Sequence, residues 1–281
     1  MRDTILEIEN SKVRSVIMVT VVSLVLAGCV SEEKNEQPTE KTEQFISKTE
    51  QPVAKKEQPT NITEQPTDQS IHFRLYPSDF FEPEYQENYS ISGTIEGVNT
   101  VPINVTGSFS YKPNGFVSFN SAQTQSVYST MTIKETPTNA LTTVSGDKYY
   151  STDIDKMRYF GSLANGVYTT TKDNSVIPKT ATIGETGTVG EYVNSINPNV
   201  EIIEWKLQDG YNGKANFVLT FSEYKYKYGD TNLVSSSVES YLITPEGNRL
   251  SMSYESTDHQ NDIITKVSGE RAGDLMELKL I

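Results

Sequence analysis

Tyr89–Tyr111, YSISGTIEGVNTVPINVTGSFSY, is the stretch that decides the fold class of this chain. Its apolar residues stand at odd positions on both sides of the central segment Gly97–Thr100. A period of two places alternate side chains on opposite faces of a strand, so each half predicts a strand with one buried face. Gly97–Thr100 and Lys112–Gly115 have the composition of turns. They predict a hairpin turn between the two strands and a second turn after them.

The same alternation recurs along the rest of the chain. Thr, Ser, Tyr and Val are abundant there, which suits half-exposed strands, and no long stretch shows the apolar stripe of a helix. We therefore predict an all-β, antiparallel meander of roughly 10–14 strands over residues 71–281, curled into a barrel, a half-barrel or a sandwich. The further strand-like runs are Phe116–Asn120, Ser126–Ile133, Asp147–Ser151, Gly166–Thr171, Val200–Leu207, Ala215–Tyr228, Val234–Thr244, Arg249–Glu255, Ile263–Val267 and Leu275–Leu280.

The charge balance excludes one class of partner. The chain of 281 residues carries 37 acidic and 24 basic side chains, and its formal net charge is -13. Affinity for nucleic acid depends on clustered Lys and Arg that neutralise phosphates, so this balance argues against a nucleic-acid partner. It argues equally against electrostatic docking on anionic lipid. The length predicts one domain with appendages.

The amino-terminal region has the pattern of an export signal. Residues Val16–Gly28 form an apolar run of 13 residues, preceded by Lys12 and Arg14. A membrane-spanning helix needs about 20 apolar residues, so this run fits the hydrophobic part of a secretory signal peptide. The run ends in Leu26-Ala27-Gly28-Cys29, which resembles the lipobox of bacterial lipoproteins.

The resemblance to bacterial lipoproteins implies how the chain is processed and where it resides. Residues 1–28 would be a signal peptide cleaved before Cys29, and Cys29 would carry a diacylglycerol thioether and acyl chains such as palmitate. Several acyl chains together bind a bilayer essentially permanently, so the protein would be anchored in a membrane of the cell envelope. Val30, in place of Asp, favours the outer membrane if the source is Gram-negative. Cys29 is the only cysteine, so the domain should rely on its core and not on disulfides.

Residues 29–70 predict a disordered tether. Five units of seven residues run from Glu36 to Ser70, and each begins with Glu-Gln. Proline stands third in four units, which excludes a coiled coil because proline inside a helix costs about 3 kcal/mol or more. The other residues are mainly Glu, Gln, Thr and Lys, which bury too little apolar surface to fold. The expected reach is about 110 Å when the segment is fully extended.

Few residues suggest metal or catalytic chemistry. His72 and His259 are the only histidines, and no cysteine is left as a metal ligand after lipidation. The chain has neither a G-x-S-x-G nucleophile motif nor a G-x-x-x-x-G-K-[ST] phosphate-binding motif. We therefore expect no metal, no cofactor and no catalytic residue. Four acidic residues are interpreted as solvated turn acids: Asp153, Asp155, Asp258 and Asp262. Three glycines are interpreted as part of a glycine-rich loop: Gly184, Gly187 and Gly190.

Tyrosines dominate one short stretch, Glu223–Tyr228. Apolar residues before it stand at odd positions, whereas the tyrosines stand at even positions. A β-bulge near Ser222 and Glu223 would produce this shift of one residue. The tyrosines, backed by lysines, predict a candidate face for a ligand or glycan. Alternatively they cap the core while the lysines protect a strand edge. The three residues are Tyr224, Tyr226 and Tyr228.

These observations predict a lipid-anchored β-domain on a tether, acting as a non-catalytic binding or structural module. Its ligand would be a protein, a lipid or a glycan of the envelope. One alternative is a lipid or lipoprotein carrier with a concave, apolar half-barrel, which would resemble the lipoprotein-carrier fold of the bacterial envelope by strand content and location only. A second alternative is an enzyme acting on envelope glycans through paired carboxylates about 5–9 Å apart.

Overall fold

The fold is given by a computed structural model. It describes residues 71–97, 100–164, 166–171, 175–196, 199–227 and 230–272. The lipobox with Cys29, the predicted tether and the predicted strand Leu275–Leu280 lie outside the described residues. The expectations for those segments stay predictions.

Twelve of the fourteen described strands form one closed antiparallel barrel, and the other two, β1 and β8, pair with each other. The strands are β1 Phe73–Arg74, β2 Glu87–Gly97, β3 Ile103–Phe119, β4 Ala122–Thr136, β5 Leu141–Tyr150, β6 Tyr159–Ala164, β7 Val167–Thr171, β8 Thr180–Ala181, β9 Thr186–Asn194, β10 Val200–Asp209, β11 Ala215–Lys227, β12 Asp230–Ile243, β13 Arg249–Asp258 and β14 Ile263–Arg271. Around the barrel they follow chain order, with β14 beside β2 and β9 beside β10. The predicted all-β meander is confirmed, and of the three predicted shapes it is the barrel.

The period of two decides which side chains face the barrel interior. Tyr89, Ile91 and Ile95 of β2 are buried, whereas Ser90 and Ser92 between them are exposed. The same alternation runs through the neighbouring strands, so the buried residues form one continuous core. Among the described residues the single helix is a 3-10 turn at Ile154–Lys156. The described part of the chain therefore contains no helix long and apolar enough to cross a membrane.

The predicted turn at Lys112–Gly115 is wrong. Strand β3 continues through it to Phe119, and a register shift between Pro113 and Gly115 marks a bulge against β4. Proline and glycine suit a bulge as well as a turn, because Pro113 has no N–H to donate and Gly115 has a φ of 80°. The chain reverses instead at Asn120 and Ser121, whose φ values of 49° and 63° belong to the left-handed region of hairpin turns.

Two further elements differ from the sequence-based expectation. The predicted loop over Gly184–Gly190 is only partly a loop, because β9 begins at Thr186 and includes Gly187 and Gly190. Strand β6, Tyr159–Ala164, was not predicted. Its alternation is interrupted at Gly161, where a side chain would clash with the carbonyl oxygen of Thr169 on the neighbouring strand. Because β6 and β7 approach closely at Gly161, a glycine stands where an alternating side chain would otherwise mark the strand in the sequence.

Residues 71–86 form a segment, here called the plug, that packs against inward-facing side chains at one end of the barrel. This is the end where β2 begins and β12 ends. The ring of Tyr76 lies 5.7 Å from that of Phe217, and the ring of Phe80 lies 6.0 Å from that of Tyr150. Leu75 is fully buried, and its N–H donates to the carbonyl of Lys179 at 3.2 Å. The plug therefore belongs to the same core as the barrel wall.

Glycine at position 93 allows β2 and β14 to approach closely. A Cβ at Gly93 would clash with the backbone of Lys266 and Val267, so Gly93→Ala should force the two strands apart. We expect a loss of about 1–3 kcal/mol in the free energy of unfolding, the usual effect of overpacking. Ser92→Ala, on the outward face of the same strand, should change it by less than about 0.5 kcal/mol. Urea denaturation of both variants tests this, and equal stability of the two would contradict it.

Candidate functional site inside the barrel

Charged side chains inside the barrel form the candidate site. All but Arg249 stand in the same alternating phase as the buried apolar residues of their strands, as Glu201 does with Ile203 and Trp205. Arg249 is one residue out of phase with Met252 and Tyr254, beyond a register irregularity between β12 and β13. Buried charges are rare in proteins unless they are paired, so each needs an identifiable partner. The interior residues considered below are Glu87, Lys148, Glu201, Glu223, Glu239 and Arg249, all less than 9% exposed.

At the end of the barrel that holds the plug, Glu87 and Arg249 form a buried ion pair. Nη1 of Arg249 lies 3.3 Å from Oε2 of Glu87, and the two side chains are 3% and 0% exposed. The hydroxyl of Tyr89 donates to Oε2 of Glu87 at 2.9 Å, and the hydroxyl of Tyr85 donates to Oε1. Both carboxylate oxygens of Glu87 are therefore engaged, which is the condition for keeping a charge out of water.

Aromatic rings surround the other partner of this pair. The guanidinium carbon of Arg249 lies 4.0 Å from the ring centroid of Tyr241, and 5.1 Å and 5.3 Å from those of Tyr76 and Phe80. These are cation–π distances, and such contacts gain strength where water is excluded. Burial alone would lower the pKa of Arg249, but the carboxylate of Glu87 raises it well above its ordinary value. Arg249 thus stays charged and joins the plug to the barrel wall.

A second buried pair, Lys148 and Glu239, closes a ring of hydrogen bonds with two tyrosines. Nζ of Lys148 donates to Oε1 of Glu239 at 3.4 Å and to the hydroxyl of Tyr111 at 3.0 Å. The hydroxyls of Tyr111 and Tyr241 lie 3.0 Å apart, and Tyr241 donates to Oε2 of Glu239 at 2.9 Å. Burial alone would lower the pKa of Lys148, but Glu239 raises it above its ordinary value. Lys148 therefore keeps its charge inside the barrel.

A third group, near the opposite end, consists of two carboxyl groups side by side. Glu201 on β10 stands directly across from Glu223 on β11. Glu223 accepts hydrogen bonds from Nδ2 of Asn199 at 2.7 Å and from the hydroxyl of Ser235 at 2.9 Å. Burial, and next the charge of Glu223, raise the pKa of Glu201 well above its usual range. Burial beside a second carboxyl group thus favours the protonated form of Glu201.

The Glu201–Glu223 pair has the ingredients of acid–base chemistry but little access. An enzyme of this type needs one carboxyl group protonated and the other ionised, with the substrate between them. Glu201 is only 6% exposed and Glu223 only 4%, so both are covered by the protein. As described, the arrangement can hold a proton, and a reaction would require the barrel to open.

The predicted tyrosine face is only partly described. A register irregularity lies between Glu223 and Tyr224, where the bulge was predicted, but the extra residue is Val234 on the partner strand β12. Tyr224 is half-buried, Tyr226 lies in β11 without a described side chain, and Tyr228 lies outside the described residues. The binding role of these tyrosines stays a prediction, as do the roles of Cys29, Leu26, Ala27 and Gly28.

The histidines and turn acids take ordinary structural places. His72 is exposed, and Nε2 of the exposed His259 lies 3.1 Å from the hydroxyl of Ser236. Asp153 caps the 3-10 turn, and Asp258 accepts the N–H groups of the hairpin that follows it, although Asp258 is buried and not solvated. In the part of the chain that the structure describes, no three His, Cys, Asp or Glu side chains are grouped to hold a metal ion.

Comparison with known proteins adds one weak likeness. No protein-family model matches the chain, and no curated protein matches its sequence. Among solved structures, the chain is similar to the crystal structure, at 2.70 Å resolution, of a candidate lipoprotein from Parabacteroides distasonis ATCC 8503. The identity is 10%, the match covers 68% of this chain and 97% of the other, and the TM-score is 0.27. A likeness of this size carries no inference about function.

The raised pKa of Glu201 predicts how stability depends on pH. Between the ordinary glutamate pKa and this raised value, the folded state binds one proton more than the unfolded state, so stability falls as pH rises. Glu201→Gln removes this loss and should make the protein more stable than the wild type at pH 8. The slope of stability against pH should flatten by up to about 1.4 kcal/mol per pH unit.

The matched control for this prediction is Glu204→Gln on the same strand. Glu204 faces outward and is exposed, so its replacement should leave the pH profile unchanged. Chemical denaturation from pH 4 to pH 9 measures all three proteins. Parallel profiles for the wild type and Glu201→Gln would contradict a raised pKa for the buried Glu201.

Proposed function

We propose that this protein is a lipid-anchored lipoprotein of the cell envelope whose β-barrel is a non-catalytic binding or structural module. The lipobox Leu26-Ala27-Gly28-Cys29 supports the anchor, and the repeat that follows supports a tether between the lipid and the barrel. In a Gram-negative source, Val30 favours the outer membrane. The membrane is thus one partner, reached through the lipid on Cys29, and a protein, lipid or glycan bound by the barrel is the other.

The proposal that the barrel is non-catalytic rests on how the interior charges are paired. Lys148 pairs with Glu239, and Arg249 pairs with Glu87. Tyrosine hydroxyls donate further hydrogen bonds to the carboxylates of these pairs. Aromatic rings of the plug pack over the Arg249 side chain. Side chains arranged in this way stabilise the barrel and leave its outer wall as the surface for recognition.

Two alternatives are weaker on the same geometry. The carrier alternative requires an open half-barrel with an apolar concave face, whereas the twelve-stranded sheet closes on itself and carries buried charges. The enzyme alternative is favoured by one observation, the juxtaposition of Glu201 and Glu223. It is disfavoured by their burial, because a glycan must reach the space between the carboxyl groups.

The anchor is tested by Cys29→Ser. Without the thiol, no diacylglycerol thioether forms, so we expect an uncleaved precursor that takes up no radiolabelled palmitate. Ser31→Ala, two residues along, is the matched control and should be labelled and processed like the wild type. Membrane fractionation and metabolic labelling measure both. Labelling of the Cys29→Ser protein would refute the lipoprotein assignment.

A further inference from the structure

An aromatic row crosses the outer wall of the barrel, on the face of the strands opposite to the interior charges. It consists of Tyr128 on β4, Tyr149 on β5 and Tyr168 on β7, joined by Phe119 from the end of β3. Tyr128 and Tyr168 are 42% and 45% exposed, whereas Phe119 and Tyr149 are buried, at 6% and 7%. None of these residues takes part in the network inside the barrel.

Strand register places the row in line. Tyr128 is paired with Asp147, Asp147 with Leu163, and Leu163 with Tyr168. Neighbouring strands lie about 4.8 Å apart, so Tyr128 and Tyr168 are separated by roughly 14 Å along the row. That span corresponds to a short oligomer laid across the strands, with the carboxylate of Asp147 next to Tyr128.

Aromatic stacking supports the centre of the row. The rings of Phe119 and Tyr149 are stacked with centroids 3.9 Å apart and an interplanar angle of 14°. Phe119 also lies 6.2 Å from Tyr168, with the rings 30° from parallel. Burial, and next the charge of Asp147, raise the pKa of Tyr149 to about 12, so its hydroxyl remains a donor at physiological pH. Phe119, at the end of β3, thus links the buried ring of Tyr149 to the exposed ring of Tyr168.

Asp147 is oriented by its neighbours and keeps one oxygen available. Its Oδ1 accepts the hydroxyl of Ser126 at 2.6 Å and Nδ2 of Asn114 at 3.3 Å. From the described residues no hydrogen bond reaches its Oδ2. A fixed carboxylate with a free acceptor, set among tyrosine rings, can accept a hydroxyl or amide N–H of a ligand whose flat face lies on the rings.

We propose that this aromatic row binds an uncharged glycan chain of the cell envelope. The C–H faces of sugar rings stack on aromatic rings, and sugar hydroxyls supply the donors that Asp147 lacks. The inference rests on the proposed function, a non-catalytic binding module, and names its class of ligand.

The surroundings favour a neutral glycan over other ligands. The single carboxylate in the row repels anionic chains, and the net charge of -13 does the same at longer range. A stable protein partner needs about 800 Å² on each side with a buried aromatic centre, whereas the two exposed rings here, Tyr128 and Tyr168, lie on one narrow line. An extended sugar chain matches a line better than a protein surface does.

The test is binding of the full-length chain, purified in detergent micelles, to neutral tetrasaccharides. The panel comprises tetramers of N-acetylglucosamine, glucose in both anomeric linkages, xylose and mannose, and titration calorimetry measures each dissociation constant. Tyr128→Ala, Tyr168→Ala and Asp147→Asn should each weaken binding by about tenfold or more. Tyr211→Ala is the matched control, because Tyr211 is 76% exposed in the loop between β10 and β11, and should bind like the wild type.

Each outcome decides the proposal. Binding that depends on Tyr128, Tyr168 and Asp147 but not on Tyr211 supports it, and saturation-transfer NMR on the wild type should place the sugar on tyrosine protons even if a variant folds poorly. No binding to any panel member, or equal binding by all variants, overturns it. Self-association abolished by Tyr128→Ala also overturns it, in favour of a protein contact. Cleavage of a bound tetramer would instead overturn the non-catalytic function and leave the glycan site in place.

Discussion

The buried ion pair between Glu87 and Arg249 is the interaction on which the rest of the structure depends. Glu87 is the first residue of β2 and directly follows the plug, whereas Arg249 is the first residue of β13. Their contact therefore fixes the start of the barrel to a strand 162 residues further along the chain. Rings of the plug cover the guanidinium, so the plug can leave only by exposing the charge of Arg249 that now pairs with Glu87.

The width of the barrel explains why such polar side chains lie inside. Apolar side chains just fill a barrel of eight strands, but a barrel of twelve leaves a wider interior. Long side chains and a plug fill that space here, and long side chains such as Tyr, Glu, Lys and Arg carry polar ends. Each polar end then needs a partner, which Lys148 and Arg249 find in glutamates. Glu201 instead has Glu223 as its neighbour, and burial together with this second carboxyl group raises the pKa of Glu201.

The sequence predicts the strands better than it predicts the site. Alternation identified β10, β11 and β14 closely, because each buries one face. Turn composition wrongly predicted a turn at Pro113–Gly115, where the same residues form a bulge inside a strand. Alternation did not identify β6, because Gly161 interrupts the pattern. The interior charges did leave a signal, since Glu201 and Glu223 stand in the apolar phase of their strands. Which of these charges pair with one another left no signal, because pairing inside the barrel depends on strand order and register, which one sequence does not specify.

The most direct test of this account is the coupling energy between Glu87 and Arg249. A double-mutant cycle with Glu87→Gln, Arg249→Met and the double variant measures it by urea denaturation. Arg249→Met alone should lose about 3–5 kcal/mol, and the double variant should lose clearly less than the sum of the two single losses. The exposed pair Glu255–Lys266, with both side chains about half exposed, is the control and should couple by less than about 1 kcal/mol. Additive losses at Glu87 and Arg249, or coupling no larger than at the surface pair, would contradict the central role of the buried pair.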